Sequence, residues 1–140
     1  MSDALWSTGD LMRQLHDGAL DEILRSELSP PAFPDYIAEM CLARGEPREY
    51  AIRRAGIERS YGYQLFNGTR KPSRDKAIQL AFGFELDLQE TQELLKVAMQ
   101  SPLNPRIKRD AAILYGIMHR LEIDEVQKLL ERFEMPLLGA

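Results

Sequence analysis

Ala51-Ile52-Arg53-Arg54-Ala55-Gly56-Ile57-Glu58-Arg59-Ser60-Tyr61-Gly62-Tyr63-Gln64-Leu65-Phe66-Asn67-Gly68 is the stretch on which the reading of this chain turns. Gly56 suits a tight turn, because a residue without a β-carbon enters left-handed conformations that others avoid. Periodicity on either side predicts one helix over about 47–55 and a second over 58–67. Small Ala51 would let the two cross closely, and Ile57 would anchor the turn in the core. Gly62 and Leu65 would face back toward the first helix. That is the spacing a helix-turn-helix needs.

With Gly62 and Leu65 inward, the opposite stripe follows. Arg59, Ser60, Tyr63, Gln64 and Asn67 stand at i, i+1, i+4, i+5 and i+8, a polar face richest at the helix start. In helix-turn-helix docking that end meets base edges in the major groove of double-stranded DNA. Arg59 matches the two acceptors of a guanine, and Gln64 the donor and acceptor of an adenine. Tyr63 suits a thymine methyl or a sugar, and Ser60 can donate or accept. The other reading of this face is a solvated surface. Phosphate contacts are expected from Arg48, at the start of the preceding helix, where backbone N–H groups also attract anions. Arg70, Lys71 and Arg74 flank the far end of the second helix and would straddle the backbone on its other side. Their alternative is a solvated charge run.

The formal net charge of −4 runs against a partner as acidic as DNA, but its distribution does not. Residues 1–43 carry two basic and eight acidic side chains, whereas residues 44–76 carry nine basic and four acidic, and residues 77–140 return to a net of −3. Screening limits the reach of distant charges to about 8–10 Å, so a basic patch on an acidic body can still hold phosphate.

Strand signals are nearly absent and helical periodicity runs throughout, which predicts an all-α fold. A first helix is expected over 8–27, with Leu11, Leu15, Leu20, Ile23 and Leu24 on its apolar face, ended by the Ser29-Pro30-Pro31 linker. A second covers 34–44, with Tyr36, Ile37, Met40 and Cys41 inward, up to Gly45. After the central pair, Ser73 caps a fifth helix over 74–84, and a sixth runs from 87 or 88 to 100. A seventh and eighth cover 105–120 and 123–134. These divide the chain into an acidic N-terminal helix with its linker (1–31), a helix-turn-helix domain (32–101) and a C-terminal helical hairpin (102–140).

That last hairpin repeats the one before it. Arg74-Asp75-Lys76-Ala77-Ile78 returns as Arg109-Asp110-Ala111-Ala112-Ile113, and Leu86-Asp87-Leu88-Gln89-Glu90 as Leu121-Glu122-Ile123-Asp124-Glu125, both at an offset of 35 residues. Two stacked copies would extend one core, so the hairpin is expected to pack on the fifth and sixth helices. Chance recurrence of hairpin chemistry is the alternative.

The run Gly56 to Ser73, ending Asn67-Gly68-Thr69-Arg70-Lys71-Pro72-Ser73, resembles the lambda-repressor-like, Xre-type helix-turn-helix family. The resemblance covers roughly residues 33–90, and the whole chain is similar to small bacterial regulators of that type with a helical C-terminal extension. It implies a five-helix bundle built from the second to sixth helices. It puts Arg59, Ser60, Tyr63 and Gln64 at base-facing positions, and Arg48, Asn67 and Lys71 at backbone-facing ones. Two residues depart from the family pattern: Arg48 stands where glutamine is usual, and Gly62 where a larger apolar residue is usual. That glycine costs about 1 kcal/mol of helix propensity. It implies very close packing, with Tyr61 and Tyr63 covering the gap.

Enzyme signatures are absent. His16 and His119 lie far apart, no ligand set has metal spacing, and Asp87, Glu90 and Glu93 read as a solvated acidic face. No cofactor is expected. His119 reads as a helix-terminal residue favourably placed on the dipole. The single cysteine, Cys41, fits a small buried hydrophobe in a reducing cytoplasm. No stretch approaches a membrane span and no secretory signal opens the chain. The reading is therefore a DNA-binding regulator, a repressor working as a homodimer through its C-terminal hairpin or N-terminal helix. The alternative is an adaptor of the same fold that binds a protein partner, not DNA, through its acidic N-terminal helix or C-terminal hairpin. In a variant of the first reading, the acidic N-terminal helix covers the basic face and inhibits it.

Overall fold

A computed structural model describes residues 8–25 and 32–139. The described residues are helical and include no strand. They fall into two compact units, Met1–Pro31 and Ala32–Ala140. No helix among them is long and apolar enough to cross a membrane.

In the first unit the expected single helix is two, α1 (Thr8–His16) and α2 (Leu20–Arg25). The break falls at Asp17-Gly18-Ala19, where Gly18 takes φ +91° and ends α1. Neither helix has a buried residue, and Met12, Leu15, Leu20 and Leu24 are exposed. The expected Ser29-Pro30-Pro31 linker lies outside the described residues.

The second unit holds α3 (Phe33–Arg44), α4 (Arg48–Arg54), α5 (Arg59–Asn67), α6 (Arg74–Gly83), α7 (Leu88–Val97), α8 (Lys108–Met118) and α9 (Ile123–Arg132). Helix α6 lies at its centre, with every residue from Ala77 to Phe84 buried. The turn between α4 and α5 has Gly56 at φ +70° and Ile57 buried against the core. Buried Gln79 on α6 donates from Nε2 to the Ala55 carbonyl at 3.3 Å, which ties this turn to the central helix.

Two glycines set how closely α4 is approached. The close packing expected at Gly62 is present: a β-carbon there would lie 2.5 Å from Cγ2 of Ile52. Ile52 fills the space, so Tyr61 and Tyr63 do not cover a gap. Ala51 presents its carbonyl to α6, where a β-carbon on Gly83 would lie 2.3 Å from that oxygen.

The 35-residue repeat is carried by matching bonds. Helices α7 and α9 start with the same capping box, Asp87 with Glu90 and Glu122 with Glu125. Glu85 and Arg120 take φ +56° and +57°, and Met99 and Glu134 +59° and +56°. Gln92 holds the Leu103 backbone through both N–H and C=O, and Gln127 holds Leu138 the same way. The copies then cross over. Arg74 donates to Asp110 at 3.0 and 2.8 Å, and Arg109 to Asp75 at 3.0 and 3.0 Å. Asp110 also accepts from the Asn104 amide and Asp75 from the Gly139 amide. Each arginine further donates to carbonyls at the end of its own copy, Ser101 and Pro102 for Arg74, Pro136 and Leu137 for Arg109. The contact is therefore reciprocal, like the two-fold interface of a homodimer built within one chain. Leu138 is buried in the core, with Met135 and Leu137 packed against it, so the apolar C-terminal residues are covered by their own chain.

Burial alone would raise the Asp75 and Asp110 carboxyls; the paired arginines and the Gly139 and Asn104 amides hold both below the usual range. Their stabilisation is thus complete above about pH 4, the unfolded aspartate value, and is lost as pH falls further. Asp110, 1% exposed, is the deeper of the two. Asp110→Asn should cost about 3 kcal/mol, the lower end for breaking a buried pair, because Arg74 keeps some solvent. It should also flatten the acid limb of stability against pH in urea titrations. Gly83→Ala meets backbone and should reach the top of the ~1–3 kcal/mol range for overpacking. Gly62→Ala meets a side chain and gains helix propensity, so it should cost less. In thermal melts the Ile52→Ala/Gly62→Ala pair should lose less than the sum of the single variants.

Candidate nucleic-acid interface

Helix α5 is positioned by its own ends and by its buried stripe. Glu58 caps its start, with the carboxylate accepting from the Ser60 amide at 2.9 Å and the Tyr61 amide at 3.2 Å. Gly68 at φ +83° closes its end, and Asn67 Oδ1 accepts from the Thr69 amide at 2.8 Å. Gly62 and Leu65 are buried, which turns Arg59, Ser60, Tyr63, Gln64 and Asn67 outward.

The exposed side of α5 is a bonded network. Arg59 donates from Nε to the Tyr63 hydroxyl at 2.9 Å, and that hydroxyl donates to Glu49 Oε2 at 2.9 Å. The Arg48 guanidinium lies 4.5 Å from the centre of the Tyr63 ring. At the other end Arg70 donates from Nε to Gln64 Oε1 at 2.8 Å and covers the Tyr61 ring at 4.4 Å, with Lys76 over the same ring at 4.9 Å. Ser60 is exposed at the helix start, and Lys71 is exposed in the loop after Arg70. Arg48, Arg59 and Tyr63 are thus joined at one end of the face, and Gln64 and Arg70 at the other.

Arg74 does not belong with them. All three nitrogens of its guanidinium are engaged, by Asp110 and by the Ser101 and Pro102 carbonyls, and it sits between the two repeat copies. The sequence expectation of a phosphate contact there is corrected: a cation already neutralised and bonded inside the fold has little to offer a phosphate.

Two acidic residues share this surface and had no part in the sequence reading. Glu49 bridges α4 to α5 through a tyrosine 14 residues later, a pairing without local periodicity. Glu58 did carry a signal, since an acidic residue just before a helix is a common cap. Its own amide, then the Tyr63 hydroxyl, hold the Glu49 carboxyl below its usual value. The Ser60 and then the Tyr61 amide do the same for Glu58. Both therefore stay charged into mild acid. No family model, curated protein or solved structure matches this chain.

In chemical terms the face offers directional donors on an ordered frame. The tie from Arg59 Nε leaves its two terminal nitrogens free as a fork. Gln64 keeps its amide N–H groups and one oxygen lone pair. Because the Glu58 pKa is lowered on folding, its cap is present above about pH 4.3, the ordinary glutamate value, and is lost on acidification below it. In Glu58→Gln, hydrogen exchange at the Ser60 and Tyr61 amides should be roughly severalfold faster at neutral pH, with the α7 amides unchanged.

Proposed function

We propose that this chain is a sequence-specific DNA-binding transcriptional regulator, a repressor that reads the major groove with α5. The observation that carries the reading is the exposed side of α5, where Arg59, Ser60, Tyr63 and Gln64 form one ordered polar surface between Arg48 and Arg70. The resemblance of residues 33–90 to Xre-type regulators supports it, as does the concentration of basic residues in 44–76. Arg59 addresses a guanine with its free fork and Gln64 an adenine, each good pair contributing about 1–3 kcal/mol of discrimination. Arg48, Asn67, Arg70 and Lys71 contact the phosphates on either side and set the register. Two copies on a two-fold operator would place their α5 helices one helical turn apart, about 34 Å.

A second reading, a regulatory adaptor that does not bind DNA, is favoured by Glu49 and Glu58. Both carboxylates stand at the starts of α4 and α5, where phosphates and base edges would approach.

Selection from random duplex DNA separates the two. The wild-type protein should enrich a palindromic motif, and Arg59→Ala/Gln64→Ala should lose it while keeping its melting temperature. No enrichment at low salt, where phosphate contacts are strongest, sinks the regulator in favour of the adaptor. Lys71→Ala, which leaves the Arg70–Gln64 bond intact, should weaken all sequences alike and reduce the salt slope by about one, from roughly 0.9 per phosphate contact.

A further inference from the structure

The two hairpins of the repeat, 74–104 and 109–139, meet through an interface that is its own mirror in sequence. The residues at one position in each copy, Arg74 and Arg109, bond the residues at one other position, Asp110 and Asp75. Such a surface accepts a matching hairpin from any chain that carries it. The segment joining the copies decides whether that hairpin must be the chain's own. Asn104-Pro105-Arg106-Ile107 is four residues long and exposed throughout. Two hydrogen bonds lie wholly within it, Ile107 N–H to the Asn104 carbonyl at 3.0 Å and Arg106 N–H to Asn104 Oδ1 at 3.0 Å. The crossed Arg–Asp pairs and the Gly139–Asp75 bond join residues on opposite sides of this hinge, and Asn104, its first residue, donates to Asp110 beyond it. Pro105 disfavours a helical Asn104, so the hinge opens toward extended chain and does not fuse α7 and α8 into one helix. Ile107 is an apolar hinge residue left 52% exposed in the single chain.

We propose that this protein dimerises by exchanging the α8–α9 hairpin with a second copy. Residues 104–107 run extended from one copy to the other, and the crossed Arg–Asp pairs form in trans. Of the bonds named here, those given up are the two within each hinge. The two hinges cross near the dimer axis, where each Ile107 gains an apolar neighbour. The dimer requires no DNA, and for a DNA-binding regulator it would also join two α5 surfaces.

Charge reversal provides the test. In an Arg74→Asp chain positions 74 and 110 are both acidic, and in an Asp110→Arg chain both are basic, so neither closes on itself. Exchange between the two chains sets the acid introduced at position 74 against the base introduced at position 110. The other half of the heterodimer then carries the native Arg74–Asp110 pair. Co-refolded from denaturant, the mixture should give a 1:1 heterodimer of twice the 16.0 kDa chain mass by light scattering, with helical signal recovered. A mixture that yields only single chains, when one chain carrying both changes refolds, overturns the proposal. The wild-type protein gives the independent check: light scattering should give twice the 16.0 kDa chain mass, and a monomer would falsify the exchange.

Discussion

Helix α6 is the element on which the second unit depends. Its middle is buried all round, so each neighbour must approach it closely. On one side Gly83 admits the α4 backbone and Gln79 reaches the Ala55 carbonyl. At its start Arg74 and Asp75 bind the second copy of the repeat. The orientation of α5 follows from this, because α4 is fixed on α6 and α5 is fixed on α4 through Ile52 and Gly62. The C-terminal hairpin reaches the same place from the other side, with Ile123 packed 3.5 Å from the position a β-carbon on Gly56 would take. The tight turn before α5 is thus held by the central helix and by the repeat together.

The sequence was most legible where a signal is local. Gly56, Gly68 and Ser73 mark helix ends because they meet needs within three or four residues, whereas Asp87 and Glu90 read as a solvated acidic face and prove to be the capping box of α7. The repeat was legible because Arg74-Asp75 and Leu86-Asp87 return as Arg109-Asp110 and Leu121-Glu122 at one offset. Signals that cross the chain were not. Arg74 reads as one more surface cation until Asp110, 36 residues later, is placed beside it. The close packing at Gly62 was legible, but its partner Ile52 was not. Glu49 has no periodic relation to Tyr63 and becomes part of the site only through the α4–α5 crossing. The N-terminal unit went astray for a different reason. Its apolar positions fit one continuous helix, but Gly18 adopts a conformation open to almost no other residue and splits the run.

The charges of the α5 surface sharpen what it could recognise. A patch meant only to hold phosphate would be uniformly basic, and its binding would be indifferent to sequence. This one places Glu49 within the Arg48–Tyr63–Arg59 cluster and caps α5 with Glu58. Each carboxylate weakens attraction to any polyanion, yet each also fixes a donor: Glu49 holds the tyrosine that orients Arg59, and Glu58 fixes the first turn of α5. Lower general affinity and tighter donor geometry both raise the ratio of specific to non-specific binding. The same two features serve a protein partner equally well, since ordered donors beside fixed carboxylates also suit a peptide surface of mixed charge. What separates DNA from protein here is the flank. Arg70 and Lys71 are exposed beyond Gln64, with Arg48 at the opposite end, so cations lie on both sides of the α5 face. On the proposed reading, a groove bounded by two phosphate rows would match that arrangement, with the α5 donors set between them.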